Sequence, residues 1–144
     1  MKILVTGASG NVGRHVVRTL LSMGEAVKAA GTNTEKLQGL FKNTVEPVRL
    51  DLEDPNTYEA ALEDVDRVFL MRPPHLGKAS DLYPFIDALM GRKMRLVAFL
   101  SLMGVEKNPF PPHHRIEKRL KKSGLPTTFV RPSFFMQNLL GIHL

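Results

Sequence analysis

The chain has 144 residues, a length suited to one domain with its own core, and no cysteine, which excludes disulfides, thiolate metal centres and a cysteine nucleophile. The net charge is +6, with acidic residues gathered between 46 and 66 and basic ones between 92 and 122. No nucleic-acid-binding motif accompanies the basic stretch, so it reads as a solvated helix face and surface loop, and no nucleic-acid partner is expected. No apolar run approaches the roughly 20 residues that span a bilayer. With no targeting signature before the first apolar run, a cytoplasmic location and no membrane partner are expected.

Short β-branched runs alternate with amphipathic stretches along the whole chain, the pattern of an α/β domain over residues 1–144 with a parallel sheet and helices on both faces. A first strand is expected over Lys2–Thr6, then a glycine turn and a helix over Asn11–Met23, whose Val12, Val16, Leu20 and Met23 recur at the helical period. A strand over Ala26–Ala30 precedes a helix over Asn33–Phe41, where Thr32 and Glu35 have the spacing of a capping box. Next come a strand over Val45–Leu50 and a helix over Pro55–Leu62, with Asp54 as cap before a first-turn proline. A strand over Arg67–Met71, a helix over Ser80–Met90, a strand over Arg95–Ser101, a helix over Pro112–Ser123 and a strand over Thr127–Arg131 complete the series. Gly24, Gly91 and Gly124 follow helices where a left-handed cap is wanted.

The strongest chemical signal is Gly7-Ala8-Ser9-Gly10-Asn11-Val12-Gly13, at the first strand-to-helix turn. Glycine there lets backbone approach a pyrophosphate, and the following helix start offers free N–H groups and a partial positive charge. The expected fold is therefore a Rossmann-type sheet of about six strands that holds a dinucleotide. Gly7, Ser9, Gly10, Asn11, Val12 and Gly13 are its candidate phosphate-side residues. An NAD site usually carries a carboxylate at the end of the second strand, about 20 residues past the glycines. Here that stretch is Ala29-Ala30-Gly31-Thr32-Asn33, with no carboxylate and no arginine. Thr32 and Asn33, by hydrogen bonds, and Lys36, by one charge, are the candidates for holding a ribose 2′-phosphate, with Lys36 also readable as a solvated helix residue, and NADP(H) is expected over NAD(H) by a small margin. Met71-Arg72-Pro73-Pro74-His75 lies at a strand's carboxyl end, where ligands of open α/β sheets gather. Met71 and Arg72 are nominated from it, Arg72 being equally readable as a surface arginine.

The spacing G-x-x-G-x-x-G, together with Asp51-Leu52, with Ser101, and with Ser123-Gly124-Leu125-Pro126-Thr127-Thr128-Phe129-Val130-Arg131-Pro132 followed by Phe135-Met136-Gln137-Asn138, resembles the NmrA-like family of atypical short-chain dehydrogenases/reductases. Within it the chain is most similar to the NAD(P)H quinone oxidoreductase/azoreductase group. The resemblance implies that Asp51 and Leu52 meet adenine, that Ser101 belongs to the cofactor site, and that Phe134, Phe135 and Asn138 line the nicotinamide and substrate side. It also implies that the chain is an N-terminal half whose C-terminal substrate lobe is missing. The Tyr-x-x-x-Lys pair of alcohol dehydrogenation is absent: Tyr58 and Tyr83 have no lysine four residues on. Aligning the family's pattern puts His113 at the lysine position, which makes it a tentative proton source; His113 and His114 also read as ordinary helix-start residues. The implied activity is hydride transfer from NADPH to a small quinone-like or azo acceptor, with a sensing module that binds NADP(H) without turnover as the alternative. Thr127–Arg131 is expected to be an unprotected edge strand beside exposed apolar residues (Phe134, Phe135, Met136, Leu139, Leu140, Ile142, Leu144), so a homodimer through residues 127–144 is expected.

Overall fold

The computed structural model of the chain describes residues 1–102, 104 and 111–132. Six parallel strands form one sheet: β1 (Lys2–Val5), β2 (Val27–Gly31), β3 (Glu46–Arg49), β4 (Val65–Met71), β5 (Leu96–Leu100) and β6 (Thr127–Val130), in the order β3-β2-β1-β4-β5-β6. The helices between them are α1 (Asn11–Ser22), α2 (Thr34–Phe41), α3 (Tyr58–Leu62), α4 (Tyr83–Met90) and α5 (Pro112–Lys122). This is the Rossmann-type arrangement that the alternation of apolar runs implies. Residues 133–144, on which Phe134, Phe135 and Asn138 and most of the expected dimer segment fall, lie outside the described residues.

A parallel sheet is covered on both faces, and strand alternation distributes the core accordingly. Along β1, Ile3 and Val5 turn toward α1 and α2, where they pack with Val17, Val27, Ala29, Leu37 and Phe41. Leu4 turns the other way, into a larger cluster that includes Val68, Leu70, Phe85, Ile86, Phe99, Ile116 and Leu120. At about 25 cal/mol per Å² of apolar surface, each fully buried leucine or phenylalanine contributes roughly 2–3 kcal/mol.

The element boundaries differ from the expected ones where local chemistry intervenes. β4 starts at Val65, two residues before the expected Arg67. Asp66, which reads as a loop acid, is buried: its carboxylate accepts from Arg67 Nε at 3.2 Å and lies 3.6 Å from Arg95 Nη1, and its carbonyl accepts from Arg95 N at 2.7 Å. The expected helix over Ser80–Met90 opens as a 3₁₀ turn, Ala79–Leu82, before α4. Pro84 has no N–H for the carbonyl of Ser80, which accepts from Tyr83 instead, one residue earlier. Pro55–Thr57 is likewise a 3₁₀ turn ahead of α3, with Asp54 accepting from Asn56 N at 3.1 Å. α2 is capped by Asn33 rather than Thr32, its Oδ1 accepting from Lys36 N at 3.1 Å. Gly24 and Gly124 take the left-handed conformation, each at φ 81°, whereas Gly91 stays right-handed at φ −75° and Arg92 N closes a 3₁₀ turn onto Leu89.

Candidate functional site

In this strand order the chain leaves the centre of the sheet in opposite directions from β1 and β4, which opens a crevice at the carboxyl ends of the strands. The glycine loop fills one side of it. Gly7 turns the chain at φ 59°, Ala8 N donates to Ala30 O at 3.1 Å, and Gly10 N donates to Gly7 O at 3.0 Å. Gly10 caps α1 in an extended conformation, with no side chain over the helix end. The first-turn amides of Asn11, Val12 and Gly13 therefore have no carbonyl in their own helix, and the helix start is bare backbone. Gly13 is what permits this: a Cβ there would stand 2.0 Å from Gly7 O and 2.9 Å from Ala8 Cα. At Gly10 the same atom would meet only Gly7 O, at 3.4 Å.

Thr6 fixes the loop to the opposite wall. Its Oγ1 donates to Phe69 O at 3.1 Å and accepts from Met71 N at 3.0 Å, which holds the ends of β1 and β4 together. A cleft of about 270 Å³ opens between the loop and the ends of β2, β3 and β4. Of the nominated cofactor residues, Gly7, Ser9, Gly10, Thr32, Asp51, Leu52 and Met71 line it. The remaining wall is Thr6, Ala30, Gly31, Leu50, Pro73, Pro74 and His75. Leu50 and Leu52, which follow β3, and Pro73 and Pro74, which follow β4, give this cleft its apolar walls. Asp51 is placed by Thr57, whose Oγ1 accepts from Asp51 N at 3.1 Å and donates to Asp51 O at 3.0 Å. Tyr58 OH donates to Leu52 O at 2.5 Å. The sequence signal for this wall is the run 71–75 itself, from which Pro73, Pro74 and His75 line the cleft and Arg72 does not.

Arg72 turns inward. Its Nη1 donates to Leu76 O at 2.6 Å, tying its own loop, and its buried Nε has no hydrogen-bond partner. Burial lowers its pKa. Nearby, His113 is 5% exposed, with its ring 5.9 Å from that of Phe99. Burial and the charge of Arg72, only partly offset by Glu117, push the imidazole pKa down from 6.5 to about 4. Burial thus favours the neutral ring, and its Nδ1 is buried without a hydrogen-bond partner among the described residues. Ser101 is also committed elsewhere. Its hydroxyl donates to Glu117 Oε2 at 2.5 Å, and Glu117 accepts from Arg131 Nε at 3.0 Å and Nη2 at 2.5 Å. Burial acts to raise the Glu117 carboxyl pKa, but the bonds from Arg131 and Ser101 outweigh it and hold the group below its ordinary value. Ser101, Glu117 and Arg131 therefore join β5, α5 and the end of β6. Asn11, Val12, Gly13, Asn33, Arg72, Ser101 and His113 do not line the cleft, although the first three supply the helix start beside it.

A family model described as NAD(P)H-binding matches residues 7–139. The chain belongs to this NAD(P)H-binding family. Its similarity to the quinone oxidoreductase/azoreductase group, carried in the sequence by the glycine loop and residues 123–132, holds in the comparisons with known proteins. The chain is 36% identical over 143 residues to prestalk A differentiation protein A of Dictyostelium discoideum, across 96% of this chain and 46% of that protein. It is 32% identical to an NAD(P)H azoreductase of Xenophilus azovorans, across 96% of this chain and 50% of that one. Among solved structures, an NADPH-dependent quinone oxidoreductase of Escherichia coli complexed with NADPH superposes with a TM-score of 0.84 at 26% identity, over 96% of this chain and 51% of the other. The NAD(P)H-binding chain thus spans about half the length of these relatives. Among its described residues no helix is long and apolar enough to cross a membrane.

Proposed function

We propose that the chain binds NADPH along the crevice and serves the reduction of a small quinone-like or azo acceptor. The observation that carries this reading is the bare glycine-loop helix start facing an apolar cleft, which suits a pyrophosphate beside an adenine. In it, the amides of Ser9, Asn11, Val12 and Gly13 hold the pyrophosphate, Leu50, Leu52, Pro73 and Pro74 hold the base, and Thr32 and Asn33 lie at the ribose. Hydride transfer is the chemistry the reduced nicotinamide supplies. The chain offers no tyrosine for proton transfer: Tyr58 is buried on Leu52 O, and the ring of Tyr83 lies 4.6 Å under Arg119. A quinone needs one hydride and one proton to become a hydroquinone, and in this reading water supplies the proton. That favours acceptors whose reduced oxygen or nitrogen protonates readily over alcohol–ketone interconversion. A sensing module without turnover is the less favoured reading, because several relatives are named as reductases, oxidoreductases or dehydrogenases.

The test follows NADPH absorbance with a panel of quinones and azo compounds, alongside calorimetric NADPH binding to wild type and Gly10→Val. The 3.4 Å clearance at Gly10 leaves the fold intact while a branched side chain occupies the phosphate approach. Unchanged NADPH binding in folded Gly10→Val would sink the assignment, and binding without turnover of any acceptor would return the sensing reading. We also propose a homodimer across β6, which pairs only with β5 among the described residues and leaves Val130 41% exposed. Light scattering at micromolar concentration, with and without Val130→Lys, tests it. A monomeric wild type, or a dimer indifferent to the lysine, defeats it.

A further inference from the structure

NADPH differs from NADH by one phosphate on the adenosine ribose, and an arginine is the usual means of accommodating it. Neither Thr32 nor Asn33 carries a charge, and Asn33 Oδ1 is already occupied by the Lys36 amide. Lys36 is the cation of this stretch, and the neighbouring strand supplies the arginine it lacks. β3 lies beside β2 in parallel register, with Arg49 opposite Gly31, so Arg49 leaves the sheet level with the end of β2. Val48 packs on the larger core cluster and Leu50 belongs to it. Strand alternation therefore sends Arg49 to the other face, the one on which α2 begins.

We propose that Arg49 recognises the 2′-phosphate of NADPH, reaching it from β3 instead of from the end of β2. This rests on the NADPH reading above. The Arg49 side chain is 53% exposed, and its guanidinium stands 4.0 Å from a carboxylate oxygen of Asp51, a residue of the cleft wall, and 4.0 Å from one of Asp54. At that separation the contacts are ionic only. Arg49 makes no hydrogen bond to any described residue, so its donors are uncommitted and a phosphate can take them as a fork without displacing a protein partner. The two carboxylates sharpen the argument, because Asp51 and Asp54 repel a dianion at the same rim unless the arginine stands between. Loss of Arg49 therefore removes a favourable contact and unmasks an unfavourable one, and NADPH should become the weaker ligand. NADH, which lacks the phosphate, should be nearly indifferent. Lysine keeps the charge and loses the fork, so it should lie between.

The experiment titrates NADPH, NADH, 2′,5′-ADP and 5′-AMP against wild type, Arg49→Ala and Arg49→Lys, with thermal melts to confirm folding. Expected for Arg49→Ala is a rise of about tenfold or more in the Kd for NADPH and 2′,5′-ADP, a change within about twofold for NADH and 5′-AMP, and a reversed preference between the dinucleotides. Arg49→Lys should recover part of the loss. Parallel weakening of all four ligands would make Arg49 a structural residue, and unchanged NADPH affinity would leave it no role; either result overturns the proposal. A wild type that binds neither dinucleotide overturns the function proposed above instead, and that outcome is separable because the adenosine phosphates read the rim alone.

Discussion

The carboxyl edge of one sheet carries two polar regions built on opposite terms. At the ends of β1, β2 and β3 the polar groups are left unspent: helix-start amides with no carbonyl in their own helix, an Arg49 side chain held by ion pairs only, a cleft with prolines and leucines in its walls. At the ends of β5 and β6 they are spent on each other, Ser101 on Glu117 and Glu117 on Arg131, with His113 sealed beside them. The same kinds of residue at the same edge thus do different work. Substitutions on the first side should change binding more than stability, and on the second stability more than binding.

Gly13→Ala should break that division most severely, since its Cβ would overlap Gly7 O at 2.0 Å. It is expected to weaken NADPH binding by about 100-fold and also to cost about 3 kcal/mol, because loop and helix must part. Calorimetry and urea unfolding on the same sample read both. Next in size is Glu117→Leu, which removes the carboxylate that joins Ser101 and Arg131 and should cost about 3 kcal/mol in urea unfolding. Dinucleotide affinity measured on the folded fraction should barely change. His113 sets a pH signature of similar size. Its folded pKa of about 4 lies below the ordinary 6.5. The unfolded chain therefore takes up a proton first as pH falls, and stability present above pH 6.5 is lost progressively down to about pH 4, by about 3 kcal/mol in total. His113→Leu should flatten that segment of the stability curve; an unchanged slope would show that the imidazole is not held neutral. Thr6→Val should be milder, about 1 kcal/mol, from loss of the bonds to Phe69 O and Met71 N. Asn33→Ala should cost about 1 kcal/mol or less, as the cap of α2 is lost, detectable as a lower melting temperature.

Much of the fold was legible because it rests on local signals. Apolar runs such as Ile3-Leu4-Val5 and Val97-Ala98-Phe99 mark strands, and the glycine spacing marks the first turn with its place in the chain. What escaped depends on partners distant in sequence. Asp66 looks like a loop acid until Arg67 and Arg95 are brought over it. Ser101 and His113 sit where the family pattern puts functional groups, and only packing reveals that one is tied to Glu117 and the other sealed against Phe99. Arg49 escaped for the opposite reason. A search along the end of β2 finds no arginine there, and strand register, invisible to a linear reading, brings one alongside from the next strand.

The clasp made by Thr6 has a kinetic consequence. Thr6 and Phe69 are 63 residues apart, and β2 and β3 lie between them in sequence but on the far side of β1 in space. Closing that seam carries the entropy of a long loop, which is overcome only when β4 docks. The glycine loop belongs to one margin of the seam and residues 71–75 to the other, so neither holds a base alone. A refolding chain should therefore regain a grip on a dinucleotide only once β4 has docked on β1, and the return of binding should report that step.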